Sequence, residues 1–448
     1  MRRLHALTAL ALAVLAGPAA AAEISRVATS GEPGNPFDLD LSFRWDRSSE
    51  RATITRERSD VLSPLPGGAI ADRDRLRYQR TRDAIVPRIA IGLWKDLELH
   101  AELPYVLGDD REWRYGMWLG TSSDLSPGGN SITSNGIDAN GDACAGTCPI
   151  FQVGTTPNAG YHGGRAGDLK VGLSWAIFNE LKDDTKPFWL VGMDLTAPTS
   201  ARWEPGRNRT ADTWESEFRV KTKPGPFGER IWKWDLYTVL SKRYKYVDPY
   251  VKAHAQFAFK SASTYSNCDA ARDALAAAVQ QMNDQAVANC ASWGSEADAK
   301  LPFVAGLTFG TELIPYEDVA EAQKVALDFR FFSELTSKHR FYNELTDATG
   351  KLHQTEGYME VGGLVGLYLR ASRYVQLRAQ ASLSTRTAHY LTGESLGRGD
   401  GWPTPAEVTA DPTLVNPNFD WRYDAPGRRF RISEVTLFEM SFGAVLQF

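Results

Sequence analysis

From residue 37 onward, apolar and polar side chains alternate along most of the chain. Residues 37–46 set the pattern: Phe37, Leu39, Leu41, Phe43 and Trp45 fall on one side, and Asp38, Asp40, Ser42, Arg44 and Asp46 on the other. Successive side chains of a strand point to opposite faces, so a period of two predicts a strand with one apolar and one polar face. The same reading predicts strands at 75–93, 97–107, 168–178, 188–199, 230–244, 246–260, 301–313, 324–336, 358–371, 374–388 and 428–448. Pro87 shares the apolar face of the second strand. Its missing N–H predicts a bulge there.

The last stretch is the most demanding. Phe430, Ile432, Phe438, Met440, Phe442, Leu446 and Phe448 share a face broken only by Glu434, and Arg429, Arg431 and Glu439 lie opposite. Exposed to water, such a strand would aggregate; facing lipid in a closed barrel, it would not. Glu434 is therefore expected at the outer rim, above the hydrocarbon. The connections alternate, short after even strands and long after odd ones. That is the asymmetry of an outer-membrane barrel, with periplasmic turns and extracellular loops. An even strand number places both termini on the periplasmic side. The expected fold is all-β: a closed antiparallel up-and-down transmembrane barrel of about 12 strands. A soluble sandwich would alternate too, but would not need such long strands or one-sided loops.

Composition narrows the class. The 448 residues carry a net charge of -5, so no basic surface points to nucleic acid. The mean hydropathy of -0.34 excludes a polytopic helical membrane protein. Arg2 and Arg3 precede an apolar run over 4–17, then Pro18 and Ala20-Ala21-Ala22. That run is shorter than the roughly 20 residues of a membrane helix and reads as a secretory signal, 1–22, cleaved before Glu23. Residues 23–448 then form a single barrel domain.

Two long loops stand out. Residues 108–167 hold Cys144 and Cys148. Residues 261–300 hold Cys268 and Cys290 around an Ala-rich stretch, 269–288, of high helix propensity. An exported chain with four cysteines permits disulfides. Of the three pairings, the local one, Cys144 with Cys148 and Cys268 with Cys290, is preferred. CysAlaGlyThrCys has poor metal spacing and no nearby histidine, so no metal or other cofactor is expected. Asp138, Asn140 and Asp142 open like a calcium loop, but its last acidic position is Pro149; an Asp/Asn/Gly turn is the simpler reading.

The signal, the alternation and the terminal Phe448 resemble Gram-negative outer-membrane proteins, in which the last aromatic is read by the barrel-assembly machinery. Residues 92–105 (GLWKDLELHAELPY), 167–175 (GDLKVGLSW) and 185–199 (TKPFWLVGMDLTAPT) are similar to transporter-like barrels grouped with the MetA pathway of phenol degradation. That resemblance implies an outer-membrane location and passage of small, hydrophobic or aromatic molecules, without enzymatic activity.

With the apolar face toward outer-membrane lipid, the opposite parity lines the lumen. The expected lining includes Asp38, Asp40, Arg44, Arg88, Glu98, His100, Glu102, Lys252, His254, Arg330, Arg370, Arg378, Arg386, Arg429, Arg431 and Glu439. Both signs are present, which fits cross-strand pairs stiffening a narrow barrel as well as a polar conduit. Arginines on the last three strands and acids on the first and third would set a field across the lumen. Two functions follow: a channel or facilitated transporter for small molecules, or a structural barrel whose lumen is closed by polar pairs and whose outer loops bind a partner.

Overall fold

The computed structural model describes residues 22–32, 36–58, 71–115, 141–142, 150, 158–180, 182–205, 209–210, 227–269 and 284–448. Its strands are β1 (Leu39–Arg58), β2 (Ala71–Trp94), β3 (Leu97–Glu102), β4 (Tyr105–Tyr115), β5 (Asn158–Ala166), β6 (Leu169–Phe178), β7 (Phe188–Ala197), β8 (Arg209–Thr210), β9 (Ile231–Ser241), β10 (Val247–Lys260), β11 (Val304–Asp318), β12 (Gln323–Thr336), β13 (His339–Phe341), β14 (His353–Thr355), β15 (Tyr358–Ser372), β16 (Val375–Arg386), β17 (His389–Tyr390) and β18 (Phe430–Gln447). Consecutive strands pair antiparallel, and β1 pairs with both β2 and β18, which closes a 12-stranded barrel. Two wall strands are interrupted: β4 continues the line of β3, and β6 that of β5.

The alternation dictates the outer face. Phe43, Ile85, Ile89, Leu173, Trp175, Trp234, Leu236, Phe309, Phe331, Val365, Leu377, Leu383 and Phe442 are all exposed outward, as lipid contact requires. No helix among the described residues is long and apolar enough to cross a membrane. Short turns join β2–β3, β6–β7, β9–β10, β11–β12 and β15–β16 at one end, and the long connections lie at the other.

Three features differ from the sequence reading. First, β1 has 20 residues and β2 has 24, both running well past the lipid band. The stretch read as a polar loop continues as strand because its inward residues, Ala52 and Ile54, find apolar partners. Secondly, β1 and β2 pair past Pro87 without a shift. The irregularity lies beside it, where the chain breaks between β3 and β4 at Leu103-Pro104. Pro87 O accepts there from Leu103 N, and Pro104 O from Gly167 N.

Thirdly, β18 bulges at Glu434. Its φ is +53°, and the β1–β18 register slips between Arg51 and Thr53. One extra residue inverts every side chain beyond it. Phe430 and Ile432 therefore turn inward, and both are fully buried. Arg429 and Arg431, expected in the lumen, alternate with them and turn out of the bore. Arg429 pairs with Glu57 at 2.7 Å and lies 4.0 Å over the Tyr390 ring; Arg431 lies 6.0 Å from that ring. Glu434 itself is exposed and accepts from Thr53 Oγ1 at 2.7 Å.

The inward apolar residues above the bulge make the long-loop end dry. Ala52, Ile54, Leu76, Tyr78, Trp113, Phe430, Ile432 and Val435 pack against Ile150, Leu345, Ala348, Leu391 and Tyr423 from the loops. Leu345 and Ala348 belong to the 337–357 connection, which holds β13, helix α1 (Thr346–Thr349) and β14; Leu391 and Tyr423 belong to the 387–429 connection, which holds β17 and helix α2 (Pro405–Ala410). Together they form a cap over the mouth.

In the 261–303 loop, Asp284–Trp293 is helical, and most of the stretch read as a helix over 269–288 lies outside the described residues. Cys268 and Cys290 are bonded, with Cα atoms 5.9 Å apart, and pack with Trp293 and Ala297. Cys144 and Cys148 lie outside the described residues, as do Asp138 and Asn140 of the calcium-like turn.

Candidate functional site

The bore is built from two closures and the space between them. At the short-turn end, residues 22–32 enter the barrel and cross it. Ala22, Ser25, Val27, Ala28 and Ser30 are buried. Val27 and the partly buried Ile24 pack on Ala176, Phe188, Leu190 and Val239 of the wall. Polar contacts fix the segment to opposite walls. Ala28 N donates to Glu98 Oε2 at 2.7 Å, Thr29 N to Asp38 Oδ2 at 2.9 Å, and Ser30 Oγ to Gly92 O at 2.6 Å. Arg26 pairs with Asp40 at 3.0 Å and donates to Gln376. Ser25 Oγ lies 3.1 Å from Ser241 Oγ. The Glu23 carboxylate sits 2.9 Å from Arg378 and 3.7 Å from Arg370. Burial opposes its charge, but Arg378, Arg26, Lys324 and Arg370 hold the carboxyl below the usual range.

Gly92 is the closest approach of segment and wall. A Cβ there would stand 2.7 Å from Thr29 C and 2.8 Å from Thr29 O. Gly92→Val is therefore expected to displace the segment while the lipid face stays intact. Trypsin cleavage after Arg26 measures this, and faster cleavage than in the parent is the expected result.

Above the segment lie three cavities in line. The lowest, about 250 Å³, is lined by Glu23, Arg44, Arg88, Arg330, Tyr368 and Arg378 among others. The next, about 420 Å³, is lined by Arg44, Asp46, Arg82, Glu102, Ser382 and Glu439. The third, about 490 Å³ and under the cap, adds aromatic faces: Tyr78, Trp203, Phe227, Tyr342 and Tyr358.

Most inward charges are paired at close range. Arg88 meets Glu98 at 2.7 Å, and His100 bridges Glu98 at 3.1 Å and Asp194 at 2.9 Å. Glu102 lies 3.8 Å from both Arg44 and Lys170, and Arg44 is 2.7 Å from Asp46. Lys252 sits 5.1 Å over the Tyr237 ring, and His254 lies 3.6 Å from Glu334. Arg330 donates to Asp328 at 2.6 Å and to Tyr368 at 2.7 Å; Tyr250 also donates to Asp328. Arg386 gathers Glu50, Glu344 and Glu360 at 3.0, 3.2 and 2.9 Å. The basic and acidic walls expected to set a field are thus cancelled locally, several times by the N-terminal segment itself.

Some inward charges of the described residues lack such partners, Asp235 and Asp248 among them, and two of these face the middle cavity. Among the described residues, neither Arg82 nor Glu439 makes an ion pair or side-chain hydrogen bond; Arg82 lies 5.9 Å from the Phe227 ring. Both pair in register with Ser48, so they stand on one row, two strands apart, in the 420 Å³ cavity.

The cap is locked from within the mouth. Asp347, 1% exposed, accepts from Arg111 at 2.7 Å and from Trp203 Nε1 at 2.9 Å. Trp203 stacks on Tyr342 at 4.2 Å, and the Arg111 guanidinium lies 3.9 Å from the Trp203 ring. Arg340 forks onto Glu394, both buried.

His353 is fully enclosed, edge-on to Tyr423 and 2.5 Å from Thr349 Oγ1. Burial, with Lys351 nearby, pulls it from 6.5 down to about 3. Because the folded value lies below the unfolded one, the contribution of His353 to the cap is complete above pH 6.5 and is lost as the pH falls toward 3, whereas buried Asp424, pushed up to about 7, contributes in the opposite sense. His353→Gln is expected to remove the acid-side part of the pH dependence of loop proteolysis, so that parent and variant diverge most between pH 3 and 6.5.

The N-terminal segment was not legible as a plug: its apolar residues Ile24, Val27 and Ala28 fall at i, i+3 and i+4, one turn of helical spacing that is too short to define an element, and the backbone there is turn and irregular. Its position directly after the cleavage motif, with Glu23 and Arg26 in a barrel rich in inward charge, was the available signal.

No protein-family model and no curated protein matches the chain. Among solved structures, an outer membrane channel from Pseudomonas putida F1 is 12% identical, with a TM-score of 0.42 over 94% of this chain and 100% of its own. A FadL homologue from Pseudomonas aeruginosa is 7% identical, with a TM-score of 0.34 over 92% and 90%. A mutant of the monoaromatic hydrocarbon channel TodX is 11% identical, with a TM-score of 0.27 over 90% and 89%. At such scores none of them bears on what this chain carries.

Proposed function

We propose that the chain is an outer-membrane channel for small molecules, closed at rest by the N-terminal segment and the loop cap. The supporting observation is the line of three cavities, about 250, 420 and 490 Å³, inside one closed wall. A barrel serving only as a scaffold has no need of solute-sized space along its axis. The short turns and both termini lie on the periplasmic side, and the cap faces outward. Barrel-assembly machinery inserts the chain; no enzymatic step is involved.

The lower two cavities favour small polar solutes over purely hydrophobic ones, because apolar cargo would leave their charges without water or partner. Aromatic faces are concentrated in the upper cavity, at Phe227, Tyr342 and Tyr358, with Tyr368 in the lowest. Arg82 and Glu439, uncommitted to other side chains, are the selectivity pair. Arg82→Gln should shift permeation toward cations and Glu439→Gln toward anions, read as reversal potentials across a salt gradient. Equal reversal potentials in both variants would remove the pair from the account.

The second reading is a structural barrel with partner-binding outer loops. The dry cap and the many ion pairs of the N-terminal segment favour it. Single-channel recording of the purified barrel decides: activity that responds to opening of the segment supports passage, and silence under every opening supports the scaffold.

A further inference from the structure

We propose that Asp248 and Glu312 form a socket for an α-ammonium, and that the occupant is the chain's own Glu23 nitrogen after processing. Asp248 and Glu312 face each other in register on β10 and β11, and Glu312 is in turn paired with Asp328 on β12. All three carboxylates are fully buried. Asp328 is satisfied by Tyr250, Tyr368 and Arg330. The other two are not. Among the described residues, Oε2 of Glu312 has no hydrogen-bond partner, and Asp248 makes no well-formed hydrogen bond, the donor beside it being the Ala22 backbone N–H, which leaves with the signal on cleavage. The cation beside Glu312 is Lys324, 3.6 Å away and itself without a hydrogen bond. Buried carboxylates left in this state are costly.

The missing charge has a source in the chain itself. Glu23 N donates to Glu312 Oε1 at 2.5 Å. As an amide, that nitrogen brings one proton and no charge. The inference rests on the reading that a leader peptidase cuts between Ala22 and Glu23. Hydrolysis there adds one water, leaves a carboxylate on Ala22 and frees Glu23 N as an ammonium with three protons. That cation stands against Glu312, with protons to spare for the orphaned oxygens, and such charge-assisted bonds are the strong kind. The Glu23 carboxylate is meanwhile clamped by Arg378 and Arg370. The first residue of the mature chain is thus held as a dipolar ion, by acids at its nitrogen and arginines at its side chain. The plug locks only once the signal has been removed.

The test uses the full chain exported to the outer membrane of a Gram-negative host, with the first residue read by intact mass. A Ser-Gly pair inserted between Ala22 and Glu23 moves the ammonium away and leaves a neutral amide at Glu312. Trypsin cleavage after Arg26 is expected to accelerate about tenfold or more in the extended chain and in Glu312→Gln. Combining the two should add nothing to either alone. Cleavage as slow in the extended chain as in the parent would overturn the socket, as would effects that multiply. A mature chain beginning elsewhere than Glu23 would instead overturn the processing step, and the mass separates the two failures. Heat-modifiability on a gel checks that each barrel has folded. If Glu312→Gln does not fold, Asp248→Asn replaces it against the same extension, with the same outcomes.

Discussion

Deleting residues 23–32 is expected to turn a silent barrel into a conducting one. The segment touches Asp38 just ahead of β1, β1 through Asp40, β2 through Gly92, β3 through Glu98, β9 through Ser241, β11 through Glu312 and β16 through Gln376 and Arg378. These strands surround the bore, so the segment fills its section rather than lining one wall. Its removal cuts ion pairs but leaves the wall's backbone ladder, which carries barrel stability, untouched. Conductance in a planar bilayer should be steady and small, because the outer cap remains as a second constriction. An equally silent deletion variant that still shows heat-modifiability would count against the segment as the gate.

The second large effect is expected at Asp347. Its carboxylate is buried and joins Arg111 on β4 to Trp203 from the 198–230 connection, while its own helix carries Ala348 into the cap core. Asp347→Ala leaves the Arg111 guanidinium, 7% exposed, with Asp109 at 3.1 Å as its remaining close carboxylate. Removing one partner of a buried pair costs about 3–5 kcal/mol. The loss falls on the cap, not on the wall. Calorimetry should show an early transition for the loops, with the barrel transition unmoved. In the background of the 23–32 deletion, Asp347→Ala should raise conductance further. Asp347→Asn keeps an acceptor for Trp203 and should fall between. A single unchanged transition in Asp347→Ala would show that the cap is held by its apolar cluster alone.

The lipid face was legible because lipid selects for it: Phe43, Trp175, Phe309 and Phe442 could occupy those positions only with a period of two. The loop asymmetry followed from the same count. The upper barrel was not legible, for a physical reason. Above the hydrocarbon, outward positions such as Arg51, Thr53 and Thr55 are polar, so the strand loses its contrast and reads as loop. The bulge at Glu434 left one sign, an acid in an apolar row. The simpler inference of a rim position preserved the parity that the bulge in fact reverses, which is why Arg429 and Arg431 were misplaced. Inside the bore, residue identities could be read but pairings could not. Asp248, Glu312 and Asp328 become one acidic row only through the register of β10, β11 and β12, and registers are set by turns and packing rather than by parity.

Solute flux through proteoliposomes tests the central claim most directly. With the intact protein, swelling in small sugars and amino acids should be close to that of empty liposomes. With residues 23–32 deleted and Asp347→Ala added, swelling should appear and fall off with solute size, as three cavities of about 250 to 490 Å³ in line require. A folded double variant that swells no faster than empty liposomes for any solute would contradict the channel and leave a sealed structural barrel.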